Sequence, residues 1–260
     1  MLLRIGLIQM NCEKNAIQQN IKQTIDIINK SAKKNIDVLC FPEMSITGYS
    51  DPTKYTSMII SLDGPEIKDI LDQTKHFSMV ILLGLIERNG NNKPFITQIA
   101  IQNGEIKAVY RKNTIIDEEV IWFSPGQSIT MFNIKNIRSG ITICADIGNK
   151  VLFSSYAQKG AKLIFESAAP GLYGAQKTRN WKNGFEWWKN ECMTNLTNYS
   201  KTNNVWIAVA TQAGRTIDED FPGGGFLFNP KGERVFSTDD WRSGEVYLEI
   251  DFNTNKVKQI

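Results

Sequence analysis

A single histidine, His76, stands in 260 residues. Any Ser/His/Asp or Cys/His triad would have to be built on it. It lies in DQTKHFSMVILLG, where a polar helix end meets a strand, a setting that suits a solvated side chain. Histidine-rich metal sites are excluded outright, so a general base is expected to be a carboxylate. Cysteine is equally sparse: Cys12, Cys40, Cys144 and Cys192 sit far apart with no CxxC, which reads as reduced thiols and not as a disulfide framework or zinc site. No Ser/Gly/Pro-rich linker or low-complexity run divides the chain, so one domain over 1–260 is expected. Lys+Arg 30 against Asp+Glu 27 gives a net charge of +3 without a basic block, so no nucleic-acid partner is indicated. The N-terminal MLLRIGLIQM is too short and too soon interrupted for a signal peptide or membrane span. A cytoplasmic protein with no membrane partner is the expectation.

What the chain does hold is strands alternating with amphipathic helices. Leu2 to Met10 is a mostly apolar run of strand length, and Asn15 to Lys34 then places Ile17, Ile21, Ile25 and Ile28 at helical spacing. Ile36 to Glu43 (IDVLCFPE) reads as a second strand closed by Pro42, with Glu43 at its C-terminal edge. Strand, helix, strand in that order implies a right-handed crossover and a covered sheet. A second helix starts at Gly64, Pro65 and Glu66, followed by the buried strand Val80 to Glu87. PFITQIAIQ and EIKAVYRK flank Asn103-Gly104, a strong hairpin signal, and the hairpin ends on Arg111 and Lys112. For Lys112 a solvated strand-end cation is the bland alternative to a site role.

Asn113 to Gln127 mixes acids with large apolar residues and reads as a covering loop. After Cys144 come a helix to about Gly160 and the apolar run AKLIFESAAPG. Glu166 is unusual there: unpaired burial is costly, so it is expected to reach water at the sheet edge or to meet a cation. Gly184 to Asn203 forms a long helix whose Phe185, Trp188, Cys192, Leu196 and Tyr199 stripe reads as core. Val205 to Gly214 is the next strand. Gly223 to Gly225 lacks the GxxxxGK[ST] frame of a phosphate loop and reads as a turn, before the FLFNPKGERVF hairpin and the last strand GEVYLEIDF. The tally of about ten strands and four helices suggests a layered α/β fold with mixed sheets and helices outside.

The stretch on which the rest depends is RSGITICAD, Arg138 to Asp146. A β-run, Ile141 to Ile143, stops abruptly on Cys144, and the small or turn-prone Ala145, Asp146 and Gly148 let the chain turn beneath it. That placement suits a nucleophile, which needs a base or cation supplied from elsewhere. For any one cysteine, a small apolar core residue is the competing reading.

Taken in order, FPE with Glu43, YRK with Lys112 and ITICAD with Cys144 resemble the carbon-nitrogen hydrolase (nitrilase) superfamily. SITGY after Glu43, EEVIWFSPG around Glu119, GAKLIF, a Trp-rich helix and the GG-strand-NPKGE hairpin fall where that family has them. The resemblance implies a four-layer αββα sandwich with two mixed β-sheets and helices on the outer faces, and a homodimer or larger homo-oligomer. It also implies a catalytic set of Glu43, Lys112, Cys144 and Glu119, substrate contacts from Tyr49 and Ala145, and no cofactor or metal. Glu43 would take the thiol proton. Lys112 and the Ala145 N–H would stabilise the oxyanion, and Glu119 would orient substrate and hold Lys112. The implied activity is hydrolysis of a small linear amide or N-carbamoyl compound through a thioester. A true nitrilase, or a non-catalytic thiol-bearing binding protein of this fold, is the alternative.

The chain departs from the pattern Cys-Tyr-Asp-x-Arg-Phe-Pro-Glu common in that family: the Tyr is Ala145, the Arg is Gly148 and the Glu is Val151. Glu166 stands where relatives often have an uncharged residue. If its side chain pointed inward it would contact substrate and favour an amine-bearing or neutral polar one; a structural ion pair is the bland reading. The N-acyltransferase branch carries transmembrane helices with no counterpart here, and the glutaminase domain of NAD synthetase is joined to a synthetase, for which 260 residues leave no room.

Overall fold

The computed structural model describes residues 1–172 and 174–260. Its strands form two large mixed sheets. In the first, Leu2–Gln9 runs parallel to Val38–Cys40, which runs parallel to Val80–Asn89. Antiparallel strands extend both sides, Gly244–Asp251 and Lys256–Gln259 on one, Asn92–Gln102 and Glu105–Arg111 on the other. The second sheet runs Arg234–Ser237, Gly225–Phe228, Trp206–Thr211, Leu163–Ala168, Ile137–Ile143, Met131–Ile134. Its three central strands, Trp206–Thr211, Leu163–Ala168 and Ile137–Ile143, are parallel and almost entirely buried, which is why they read as mostly apolar runs without alternation.

The two sheets pack face to face. Cys40 Sγ of one lies 3.4 Å from Ser167 Oγ of the other, and the Gly224 N–H donates to Gln9 Oε1 at 3.1 Å. Helices cover the outer faces. Ser31 on the helix Ile17–Ala32 hydrogen-bonds Tyr247 of the first sheet at 2.9 Å, and Trp188 on Trp181–Asn203 donates to Thr211 of the second at 2.8 Å. The result is helix, sheet, sheet, helix, as expected.

Several elements differ from the sequence reading, each for a local reason. The strand at Ile36 to Glu43 pairs only over Val38–Cys40, because Pro42 has no N–H for the ladder and Glu43 lies in the turn beyond it. The turn is held against the sheet at Gly84, where a Cβ would lie 2.3 Å from the Met44 nitrogen. The covering loop contains a short helix, Glu119–Trp122. A 3-10 turn, Cys144–Gly148, precedes the helix Lys150–Gln158. The Asn103-Gly104 turn forms as read, with φ of 54° and 70°, the positive values that its hairpin type demands. His76 is exposed.

Candidate active site

Four separate chain segments bring the site together. Strand parity supplies one of them. In Tyr110-Arg111-Lys112, alternation sends Tyr110 and Lys112 to the inner face and Arg111 outward, where it clamps Glu87 through two hydrogen bonds of 2.6 and 2.7 Å. Lys112 is 1% exposed, and a buried ammonium must be paired. Its Nζ donates to Glu43 Oε1 at 2.9 Å and to Glu119 Oε1 at 2.7 Å. The second oxygen of Glu43 accepts the Ala169 N–H from the opposite sheet at 2.9 Å, so this carboxylate joins the two layers. Tyr49 donates to Glu119 Oε1 at 2.9 Å, whereas Glu119 Oε2 is buried with no partner.

Cys144 follows the Ile137–Ile143 strand with φ of 45°, a left-handed conformation that costs a residue with a Cβ roughly 1–2 kcal/mol. Met44, next to Glu43, is likewise left-handed at 48°. Such strain persists only where the surroundings over-determine it. For Cys144 the determinant is Asp146, which the sequence reading noted only as turn-prone. Its Oδ2 accepts from Tyr110 at 2.6 Å and from the Ile143 N–H at 3.0 Å, and its Oδ1 accepts from the Thr114 N–H at 2.8 Å. The carboxylate thus ties the turn below Cys144 to the strand carrying Lys112. An aspartate between Ala145 and Ile147 was the available signal; Tyr110 and Thr114, each more than thirty residues away, were not visible as its partners.

Electrostatics keeps the resting thiol protonated. Burial, reinforced by Glu43, pushes Cys144 well above the ordinary cysteine value despite Lys112. Burial raises Glu43 too, with Lys112 pulling down and Glu119 pushing up. For Lys112 burial opposes the charge, but Glu43 and Glu119 outweigh it and the ammonium sits well above its usual range. A neutral thiol beside a carboxylate of raised basicity is an arrangement for proton transfer during reaction, not for a standing thiolate.

Cys144, Lys112, Glu119, Tyr49 and Ala145 all line one cavity of about 570 Å³. Glu166 does not. Its strand neighbour Ser167 faces the other sheet, so alternation turns Glu166 to the helix-covered face, where it pairs in register with Thr142 and accepts its hydroxyl. It is fully buried, meets neither water nor a cation, and has one oxygen unpartnered; burial holds its carboxyl well above the usual range. The expected placement at the sheet edge therefore does not hold, because a doubly buried strand gives no sequence cue to parity. Among the described residues no cluster of metal-ligating side chains occurs, and no helix is long and apolar enough to cross a membrane.

Residues 4–257 match the family model described as carbon-nitrogen hydrolase. The chain belongs to that family. It is similar to the 2-oxoglutaramate amidase of Bacillus subtilis, 26% identical over 95% of this chain and 90% of that protein. It also resembles the glutamine-dependent NAD(+) synthetase of Acinetobacter baylyi, 23% identical over 99% of this chain but 46% of that protein. The chain spans about half the length of the NAD(+) synthetases it matches, so its length does not set it apart from their matching half. In fold, this carbon-nitrogen hydrolase superimposes on one from Helicobacter pylori G27 with a TM-score of 0.85 at 19% identity, covering 98% and 90% of the two chains. The amidase of Nesterenkonia sp. AN1 matches with a TM-score of 0.80 at 18% identity over 95% and 90%. A Glu-to-Gln mutant of that amidase carries the acetamide moiety of fluoroacetamide on its active-site cysteine.

Proposed function

We propose that this carbon-nitrogen hydrolase cleaves a small linear amide or N-carbamoyl compound, with Cys144 as nucleophile, Glu43 as general base and acid, Lys112 as electrostatic stabiliser and Glu119 as the orienting carboxylate. The observation that carries the reading is Lys112 Nζ bridging Glu43 and Glu119 at 2.9 and 2.7 Å in the cavity that Cys144 lines. An ammonium has three donors. Two are spent on the carboxylates, which leaves one for an oxygen of the substrate.

The sequence of events follows from these groups. Glu43 takes the thiol proton as Sγ bonds to the amide carbon, and the C=O electron pair moves to oxygen. That oxyanion is met by the free Lys112 proton and the Ala145 N–H; in a site closed to water, donors so placed contribute several kcal/mol. The tetrahedral adduct collapses with cleavage of the C–N bond, and Glu43 returns its proton to the departing nitrogen, so ammonia or an amine leaves. Glu43 then takes a proton from water, whose oxygen attacks the thioester carbon, and the acid departs as the thiol is regenerated. Glu119 Oε2, buried without a partner, is available to an N–H of the scissile amide. The two carboxylates exceed the one ammonium in charge, which favours Glu43 in its protonated form once the thiol is ionised. Two sandwiches are proposed to pair through their outer helices, consistent with Val151, 73% exposed on Lys150–Gln158.

Ammonia release from a panel of small amides, carbamoyl compounds and nitriles, wild type against Cys144→Ala, tests the reading. Release from amides or carbamoyl compounds that disappears in Cys144→Ala supports it. Release from nitriles alone would make the enzyme a nitrilase, and release that persists in Cys144→Ala would rule out the thiol mechanism.

A further inference from the structure

One buried ionisable group close to the site has no part in the reaction just described. Glu166 is 0% exposed, makes no ion pair among the described residues and leaves Oε1 without a partner. An unpaired carboxylate in the interior is costly, and a group held this way keeps its proton instead.

The hydrogen bonds around Glu166 point the same way. Thr142 Oγ1 lies within reach of two acceptors, Glu166 Oε2 and the carbonyl oxygen of Phe165, the latter at 3.4 Å. A hydroxyl has one proton and cannot donate to both. Were Glu166 a carboxylate, it would take that proton and leave Phe165 without it. With a proton of its own, Glu166 donates to Thr142, Thr142 donates to Phe165, and both contacts are hydrogen bonds. Oε1 is then a carbonyl oxygen, cheaper to leave unpaired than a charged one. Burial is the largest influence holding that proton, with Asp146 and Glu43 adding to it and Thr142 and Lys112 opposing.

The pair stands directly behind the nucleophile. Thr142 is two residues before Cys144, near the end of Ile137–Ile143, and is in register with Glu166, which is in register with Val209 on its other side. The helix Trp181–Asn203 covers this face. Its Trp188, which lines the cavity, bonds Thr211 two residues beyond Val209, and Cys192 follows one helical turn later. Besides Cys192, the groups near enough to feel a charge on Glu166 are Tyr110, Tyr156, Cys40 and Cys144 itself, whose thiolate burial and Glu43 already oppose.

We propose that Glu166 is a positioning residue that works as the neutral acid, its proton pinning Thr142 and with it the strand end on which Cys144 is mounted. This rests on the reading of Cys144 as the nucleophile.

Two variants test it. Glu166→Gln keeps the size and a donor for Thr142 but cannot ionise, whereas Glu166→Leu fills the space with no donor. Urea unfolding between pH 5.5 and 8 reads the protonation state without any substrate. A glutamate ionises near pH ~4.3 in the unfolded chain, so if the folded chain keeps the proton, the unfolding constant of wild type relative to Glu166→Gln rises about tenfold per pH unit. At pH 7, Cys144 alkylation and kcat/KM on the best amide are expected to stay close to wild type in Glu166→Gln and to fall together by about 10-fold or more in Glu166→Leu, the scale of a misplaced nucleophile. Thr142→Val, which removes only the hydroxyl, is expected to behave as Glu166→Leu and replaces it should that variant not fold. An unfolding ratio flat with pH would show a carboxylate in the folded chain and overturns the inference. So does Cys144 as reactive in Glu166→Leu and Thr142→Val as in wild type, or Glu166→Gln as impaired as Glu166→Leu. Alkylation in the predicted order by a protein that turns over no amide keeps this inference and removes the hydrolase reading.

Discussion

Asp146→Asn is the perturbation that separates the nucleophile's chemistry from its placement. The carboxylate accepts three hydrogen bonds, from Tyr110 OH, Ile143 N–H and Thr114 N–H. An amide has one oxygen. If that oxygen takes Thr114, the NH₂ group faces the Ile143 N–H; if it takes Ile143, the NH₂ group faces Thr114. Tyr110 can rotate its hydroxyl to accept, but in either orientation one backbone N–H is left opposed. An unsatisfied buried donor costs about 1–3 kcal/mol. Burial holds the Asp146 carboxyl above its ordinary value, so a neutral amide recovers part of that cost and the low end is expected. For a chain of this size that is a fall in Tm of roughly 2–4 °C. The larger effect is on activity, because a displacement of Cys144 by ~1 Å costs about 10²-fold. Calorimetry, kcat/KM on the best amide, and the rate of Cys144 alkylation are measured together. A parallel loss in kcat/KM and alkylation with a small change in Tm is predicted. Activity within twofold of wild type would refute the reasoning that Asp146 positions the thiol.

The remaining predictions concern charge. Because Glu43 is raised above the ordinary carboxylate range, its base form exists only above that raised value, so kcat/KM falls on acidification at a pH above the usual glutamate pKa of about 4.3; an acid limb at or below that value would contradict the burial argument. Methyl methanethiosulfonate is expected to label one thiol, Cys144, since Cys12, Cys40 and Cys192 are fully buried and Cys40 is pushed up to about 12. With Glu43→Gln removing the base, that labelling keeps accelerating above pH ~8.5, the ordinary thiol value, because burial raises Cys144; a plateau there would show an unperturbed thiol. Lys112→Met leaves two buried carboxylates unpaired and should destabilise the protein by about 3–5 kcal/mol. Glu43, which burial already raises, then titrates higher still in the folded chain without Lys112 to pull it down, so the folded state binds more protons and the loss shrinks as pH falls. Urea unfolding at pH 8 and pH 5.5 reads this, and equal losses at both would contradict it.

Much of the site was legible because it sits where strands end. Ile141 to Ile143 breaks off at Cys144, Pro42 closes the strand before Glu43, and the hairpin set by Asn103-Gly104 delivers Lys112. Residues acting through distant partners were not legible. Asp146 draws its donors from three places in the chain, Tyr110, Thr114 and Ile143. Glu166 shows the limit differently: in LIFES both faces are buried, so nothing in the pattern tells which residues face the helices, and the side chain lies under Thr142 instead of in the cavity. The short strands Ala213–Arg215 and Asp220–Pro222 pair only with each other and carry no periodicity to read.

The central claim is that turnover passes through a thioester on Cys144. Rapid acid quench during hydrolysis of the best amide, followed by intact mass and peptide mapping, tests it directly. The account predicts one acyl group per chain on the peptide containing Cys144, decaying as substrate is exhausted and absent from Cys144→Ala. Hydrolysis at the wild-type rate in Cys144→Ala, or an acyl group mapped to any other residue, would contradict it.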